Sequence, residues 1–222
     1  MHRQFEEELD EIKRSILTMA GLVEKCLEDI SKALTTQDIE IAEAVIAMDE
    51  EIDQCEVGID RLATEFIARH QPAATDLRFV IVAIKLGPEL ERIADNAVNI
   101  AERVLHFSKY PLLKPLIDLP RMLGLAHAMV SDAIAAYVAR DARSAREVIR
   151  RDDEVDSLYM QIFRELLTYM IEDPKTISRA IDLILVARFI ERIADQATNI
   201  AEEVVYLVEA RPIRHVWPVP ED

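Results

Sequence analysis

Glu91, Asp95, Asn99 and Glu102 stand four, four and three residues apart, and Glu191, Asp195, Asn199 and Glu202 repeat them one hundred positions later. At about 100° per residue, each set falls within roughly 80° on a helix and forms one stripe of oxygen donors. Carboxylates and an amide at this spacing suit hard or borderline cations such as Mg²⁺, Mn²⁺ or iron. Asp49 and Asp53, extended by Glu56 and Asp60, make a second stripe in the preceding segment. Its counterpart keeps Asp152 and Asp156 but continues with Tyr159 and Phe163, so the acidic row is shorter there. The plain alternative is a solvated charged face, which any helical bundle carries on its outside. Acids at i and i+4 repel one another, however, and a face built for solubility alone would mix signs. Ile93, Ala94, Ala97, Ile100 and Ala101 lie on roughly the opposite side, so the donors are expected to face outward.

Catalytic constellations are missing. The Glu-x-x-His pairs of di-iron bundles do not occur, since Ile67, Arg103, Gly124 and Pro212 stand three residues before His70, His106, His127 and His215. There is no GxxxxGK[ST] loop, no HExxH and no GxSxG. Cys26 falls on an apolar seam and reads as core, while Cys55 has no firm placement. Arg92 and Arg192 follow the motif glutamates and are expected in ion pairs, with contact to phosphate as the weaker option. An enzyme is not expected.

The elements that must position these donors follow from a repeat. Glu91–Glu102 and Glu191–Glu202 are the same twelve-residue motif, ERIAD-x-A-x-NIAE, differing only at the sixth and eighth positions. A repeat this long implies two copies of one structural unit. Phe5, Leu9, Ile12, Ile16, Met19, Val23, Cys26 and Ile30 alternate by four and three, which predicts a first helix ending near Leu34. A second helix is expected through Ile41, Val45, Met48, Ile52, Ile59 and Phe66 to Pro72. Thr75 or Asp76 would cap a third, which carries the motif to about Phe107. Beyond a proline-dense stretch the pattern restarts 103 positions on, and the offset shortens to one hundred at the last helix because of a tighter turn near Pro174. The expected fold is all-α: two tandem, pseudo-symmetric, antiparallel three-helix bundles. We divide the chain into a first unit at 1–107, a linker at 108–120, a second unit at 121–210, and an extended or disordered tail at 211–222.

Charge narrows the partners. The chain of 222 residues has a net charge of −16, and residues 1–105 carry −12 of it, with 23 acids against 11 bases. Nucleic acid needs a basic surface and is not an expected partner. Anionic lipid is disfavoured for the same reason. Two cysteines without a CxxC pattern fit a reducing compartment. The N-terminus is too acidic for a signal peptide, and no uninterrupted apolar run approaches the ~18–20 residues of a membrane span. A cytoplasmic protein is expected, without direct insertion in the membrane.

The duplicated motif, the four (E/D)xxxD pairs (Asp49/Asp53, Glu91/Asp95, Asp152/Asp156, Glu191/Asp195) and the Gln71-Pro72…Asp76-Leu77-Arg78 helix entry resemble the PhoU family of bacterial phosphate-signalling accessory proteins. The match spans about Phe5 to Val208. The resemblance implies a homodimer with multinuclear metal clusters on the acidic surfaces, iron first and manganese, magnesium or zinc otherwise. It implies a negative regulator that couples the phosphate ABC transporter ATPase to a membrane sensor histidine kinase, held at the inner face of the membrane through those partners. Tyr159 and Phe163 depart from a full second acidic row. A metal-storage bundle is the alternative function.

Overall fold

The computed structural model describes residues 2–213. Its elements are α1 (His2–Thr36), α2 (Ile39–Ala47), α3 (Asp49–His70), α4 (Ala74–Phe107), α5 (Asp118–Ala139), α6 (Ala142–Glu172) and α7 (Ile177–Glu209), with a short 3₁₀ turn at Pro174–Thr176. Because α2 and α3 are halves of one broken helix, the described residues form six helices without strands. α1, α3 and α4 pack together as one three-helix unit, and α5, α6 and α7 as the other.

Several boundaries differ from the sequence expectation. α1 runs two residues past Leu34 and ends where Gln37 takes a left-handed conformation at φ 55°. The second helix breaks at Met48, where Asp49, Glu50 and Glu51 fall in the first turn of α3 and suit its positive N-terminal dipole. α4 starts at Ala74, ahead of both proposed caps, and Thr75 instead receives a long hydrogen bond from Arg78 Nη2 at 3.4 Å. α5 begins at Asp118, inside the stretch expected to be linker, and takes Pro120 into its first turn, where a missing N–H costs nothing. Asp38 and Asp141, 103 positions apart, cap α2 and α6 through Ile41 N and through Arg143 N and Ser144 N. Of the expected tail, Arg211–Ile213 is non-helical with Ile213 buried, and 214–222 lie outside the described residues.

The two motif helices meet along the seam between the units. Lys85 of α4 reaches Glu203 of α7 at 3.0 Å, and at the far end Arg103 and His106 of α4 reach Asp182 of α7 at 3.6 and 2.9 Å. Low numbers pair with high ones, so α4 and α7 run antiparallel. α4 therefore packs against α1, α2, α3 and α7, and α7 against α4, α5 and α6. Neither motif helix has the single buried face that a two-faced reading of periodicity assumes. α5 has the length and apolarity to cross a membrane, but Met122, Leu123, Met129 and Val130 are buried against the rest of the bundle.

Candidate metal-binding clusters

The structure sorts the twelve candidate residues into two grooves and a remainder. Between α3 and α4, Asp49 and Asp53 face Glu91 and Asp95, and Glu56 joins them. Gly87 makes room for that approach: a Cβ there would lie 3.3 Å from Glu56 Cγ. Between α6 and α7, Asp152 and Asp156 face Glu191 and Asp195. Asn99, Glu102, Asn199 and Glu202 stay outside both. Asn99 gives its amide to the carbonyl of Asp95 at 2.8 Å, and Asn199 reaches across the unit seam to Glu89 Oε2 at 3.1 Å. Glu102 is exposed beside Arg103, and Glu202 is half-buried farther along α7.

The carboxylates within each groove are mutually unfavourable. Burial, then repulsion from Asp95, Glu56 and Asp53, pushes Glu91 up to about 7. Burial, then Asp195, Asp156 and Glu191, pushes Asp152 up to about 7. Asp49, Asp95, Glu191 and Asp195 are raised for the same two reasons, burial first. Burial and repulsion both disfavour the charged form, and a nearby cation would stabilise it.

The expectation of outward-facing donors needs correction in the second unit. Asp53, Asp95 and Asp156 are exposed, but Glu191 is only 9% exposed because α6 and α7 close over it. Its Oε2 and Asp152 Oδ1 are buried without a hydrogen-bond partner. An unmet buried acceptor costs about 1–3 kcal/mol, which a proton or cation would remove. In donor type and charge, both sets fit a hard cation. The side chains as placed are not drawn together, since among the described residues no three His, Cys, Asp or Glu converge at ligating distance. Binding would have to bring rotamer changes.

Arg92 makes an ion pair as expected, with Glu89 at 3.3 Å, while Glu191 takes its bond from Arg188, one turn earlier on α7. Arg188 was missed in the sequence; its counterpart at the one-hundred offset is Pro88, and that mismatch was the available signal. Arg92, Arg188 and Arg192 line a separate groove of about 380 Å³ between α4 and α7, together with Asp95 and Asp195. Cys26 is buried as expected, and Cys55 is half-buried.

Comparisons with known proteins agree across almost the whole chain. The family model for the PhoU domain matches twice, at residues 16–104 and 119–204. The chain is 43% identical over 208 residues to the phosphate-specific transport system accessory protein PhoU homolog of Aquifex aeolicus, covering 94% of each. It is 40% identical to the Escherichia coli accessory protein PhoU, covering 96% of this chain and 88% of that one. The crystal structure of PhoU from Pseudomonas aeruginosa superposes with a TM-score of 0.91 at 38% identity, covering 93% of this chain and all of that one. The phosphate transport system regulatory protein PhoU from Streptococcus pneumoniae gives 0.87 at 29% identity, covering 94% and 98%.

Proposed function

The chain belongs to the PhoU family, and from that premise we propose that it is a non-catalytic accessory regulator of phosphate transport. In this reading it restrains phosphate uptake and the starvation response when phosphate is plentiful. It does so as an adaptor between the ATPase of the phosphate ABC transporter and a membrane sensor histidine kinase, at the cytoplasmic face of the membrane. The observation that supports it best is the match of both units, in order, to relatives named as accessory proteins of phosphate-specific transport. Two acidic grooves on a −16 chain suit an adaptor, since they can meet a basic patch on a partner or hold cations that alter the surface charge.

Metal binding is the second part of the proposal. Asp49, Asp53, Glu91 and Asp95 would hold cations in the first groove, and Asp152, Asp156, Glu191 and Asp195 in the second. The metal would supply positive charge where the carboxylates now repel one another. Iron is the first candidate, with manganese, magnesium or zinc as alternatives. The unpartnered Asp152 and Glu191 oxygens favour this part. A homodimer is the assembly we expect.

Co-purification tests the adaptor reading. The tagged chain should bring down the transporter ATPase from cells grown in abundant phosphate. Recovery of several metal atoms per chain without that ATPase would instead favour the storage alternative.

A further inference from the structure

Arg92 and Arg192 hold the same place in the two copies of the motif, and neither belongs to an acidic groove. The antiparallel seam brings them together. Carried inward from the Lys85–Glu203 and His106–Asp182 pairs, its register sets Arg92 across from Gln196 and Asn96 across from Arg192. With Arg188 they line the groove of about 380 Å³ between α4 and α7, whose wall is otherwise Asp95, Asp195, Asn96, Asn99 and Gln196. No apolar or aromatic side chain lines it. Most of the guanidinium donors are free. Arg92 gives only Nη1 to Glu89, at 3.3 Å, and Arg188 only Nη1 to Glu191. The Tyr159 ring, its centroid 5.9 Å from the Arg188 guanidinium, helps to hold that arginine in place. Arg192 is exposed and makes neither a hydrogen bond nor an ion pair among the described residues. Gln196 Oε1 accepts from Asn199 at 3.3 Å, which leaves the Gln196 amide NH₂ to donate.

We propose that this groove binds an inorganic phosphate anion, either orthophosphate or a short phosphate chain. A guanidinium presents a flat fork of N–H donors that pairs with two oxygens at once. Forks that approach from two helices need an acceptor with oxygens on several sides. A tetrahedral phosphate has them, whereas a carboxylate offers two oxygens in one plane. The wholly polar wall decides against a nucleotide, because no ring is there to stack on a base. The charge that matters is local. The chain carries −16, but exposed charges farther off than about 8–10 Å are largely screened at physiological salt. In the groove wall itself three arginines stand against two aspartates. Asp95 is set against Glu91 and Asp53 on one flank, and Asp195 against Asp156 and Glu191 on the other. A cation held in either acidic groove would shield the anion from them. The proposal rests on the regulatory reading and deepens it: the chain itself would read that phosphate is plentiful.

The test is isothermal titration calorimetry of the full chain with orthophosphate and, separately, with tripolyphosphate, at constant ionic strength. A Kd of about 1 mM or tighter is expected for at least one of them. Binding of orthophosphate would identify the free ion as the ligand, and binding of tripolyphosphate alone would identify the chain of phosphates. Arg192→Gln and Arg92→Gln should each weaken binding about tenfold, with circular dichroism and Tm unchanged. Arg164→Gln removes an exposed arginine outside the groove and should bind as wild type does. The proposal is overturned if neither anion binds, if the groove variants bind as well as wild type, or if Arg164→Gln weakens binding equally. In cells lacking the protein, Arg192→Gln should fail to restore repression in abundant phosphate. Full restoration by a variant that has lost binding would overturn the regulatory use of the site. A deletion without effect on alkaline phosphatase would instead defeat the regulatory reading, while calorimetry would still decide the site.

Discussion

Asp152 shows how the clusters act at the level of single residues. Its carboxyl is raised to about 7 by burial first and then by Asp195, Asp156 and Glu191. A carboxylate raised on folding supports the folded state fully below its unfolded pKa of about 4, and that support is lost as pH rises through the folded value. Asp152→Asn removes the titration. We expect the metal-free variant to be more stable than wild type at pH 8 by about 1–2 kcal/mol, after allowing for solvent screening, with the difference gone near pH 4. Urea unfolding at several pH values measures this, and a variant less stable than wild type at pH 8 would show that Asp152 is held by a partner. The four (E/D)xxxD pairs were legible in sequence because an i, i+4 pair declares its helical face. The buried state of Glu191 was not legible, because it depends on which neighbour closes over α7, whereas the i, i+3 bond from Arg188 lies within α7 and was open to reading.

At the level of elements, the internal repeat made most of the helices legible, since equivalent positions had to serve equivalent roles. Asp38 and Asp141 are an example: the same residue type, 103 positions apart, ends the same turn by accepting backbone N–H groups. Asp38→Ala and Asp141→Ala should each lower Tm by about 2–4 °C, and asparagine at either position should restore most of it. Calorimetry of the four variants checks this; a loss that asparagine fails to recover would mean that charge, and not capping geometry, is what matters. The break at Met48 was harder to see, because methionine suits a helix interior and only the three acids after it mark a new N-terminus. The second unit has Arg151 at the equivalent place, bonded to Asp132, and α6 continues through it. Thr75 and Asp76 misled for the opposite reason, as capping residue types that lie just inside a helix already begun.

The whole molecule brings the motif helices α4 and α7 together at its centre, with an acidic groove on each flank and ion pairs at both ends of the seam. Under the proposed metal binding, its −16 charge would draw cations to those grooves. Mn²⁺ or Fe²⁺ added to the metal-free chain should raise Tm by about 5 °C or more, through preferential binding to the folded state. The Asp95→Asn, Asp195→Asn double variant, with one carboxylate removed from each groove, should lose most of that rise. An equal rise in both proteins would place the metal elsewhere. The proposed regulatory role is tested by alkaline phosphatase activity in cells that lack this protein and grow in abundant phosphate. High activity despite the phosphate is expected, returned to a low level by the wild-type chain. Activity that stays low, in cells without a second copy of the gene, would contradict it.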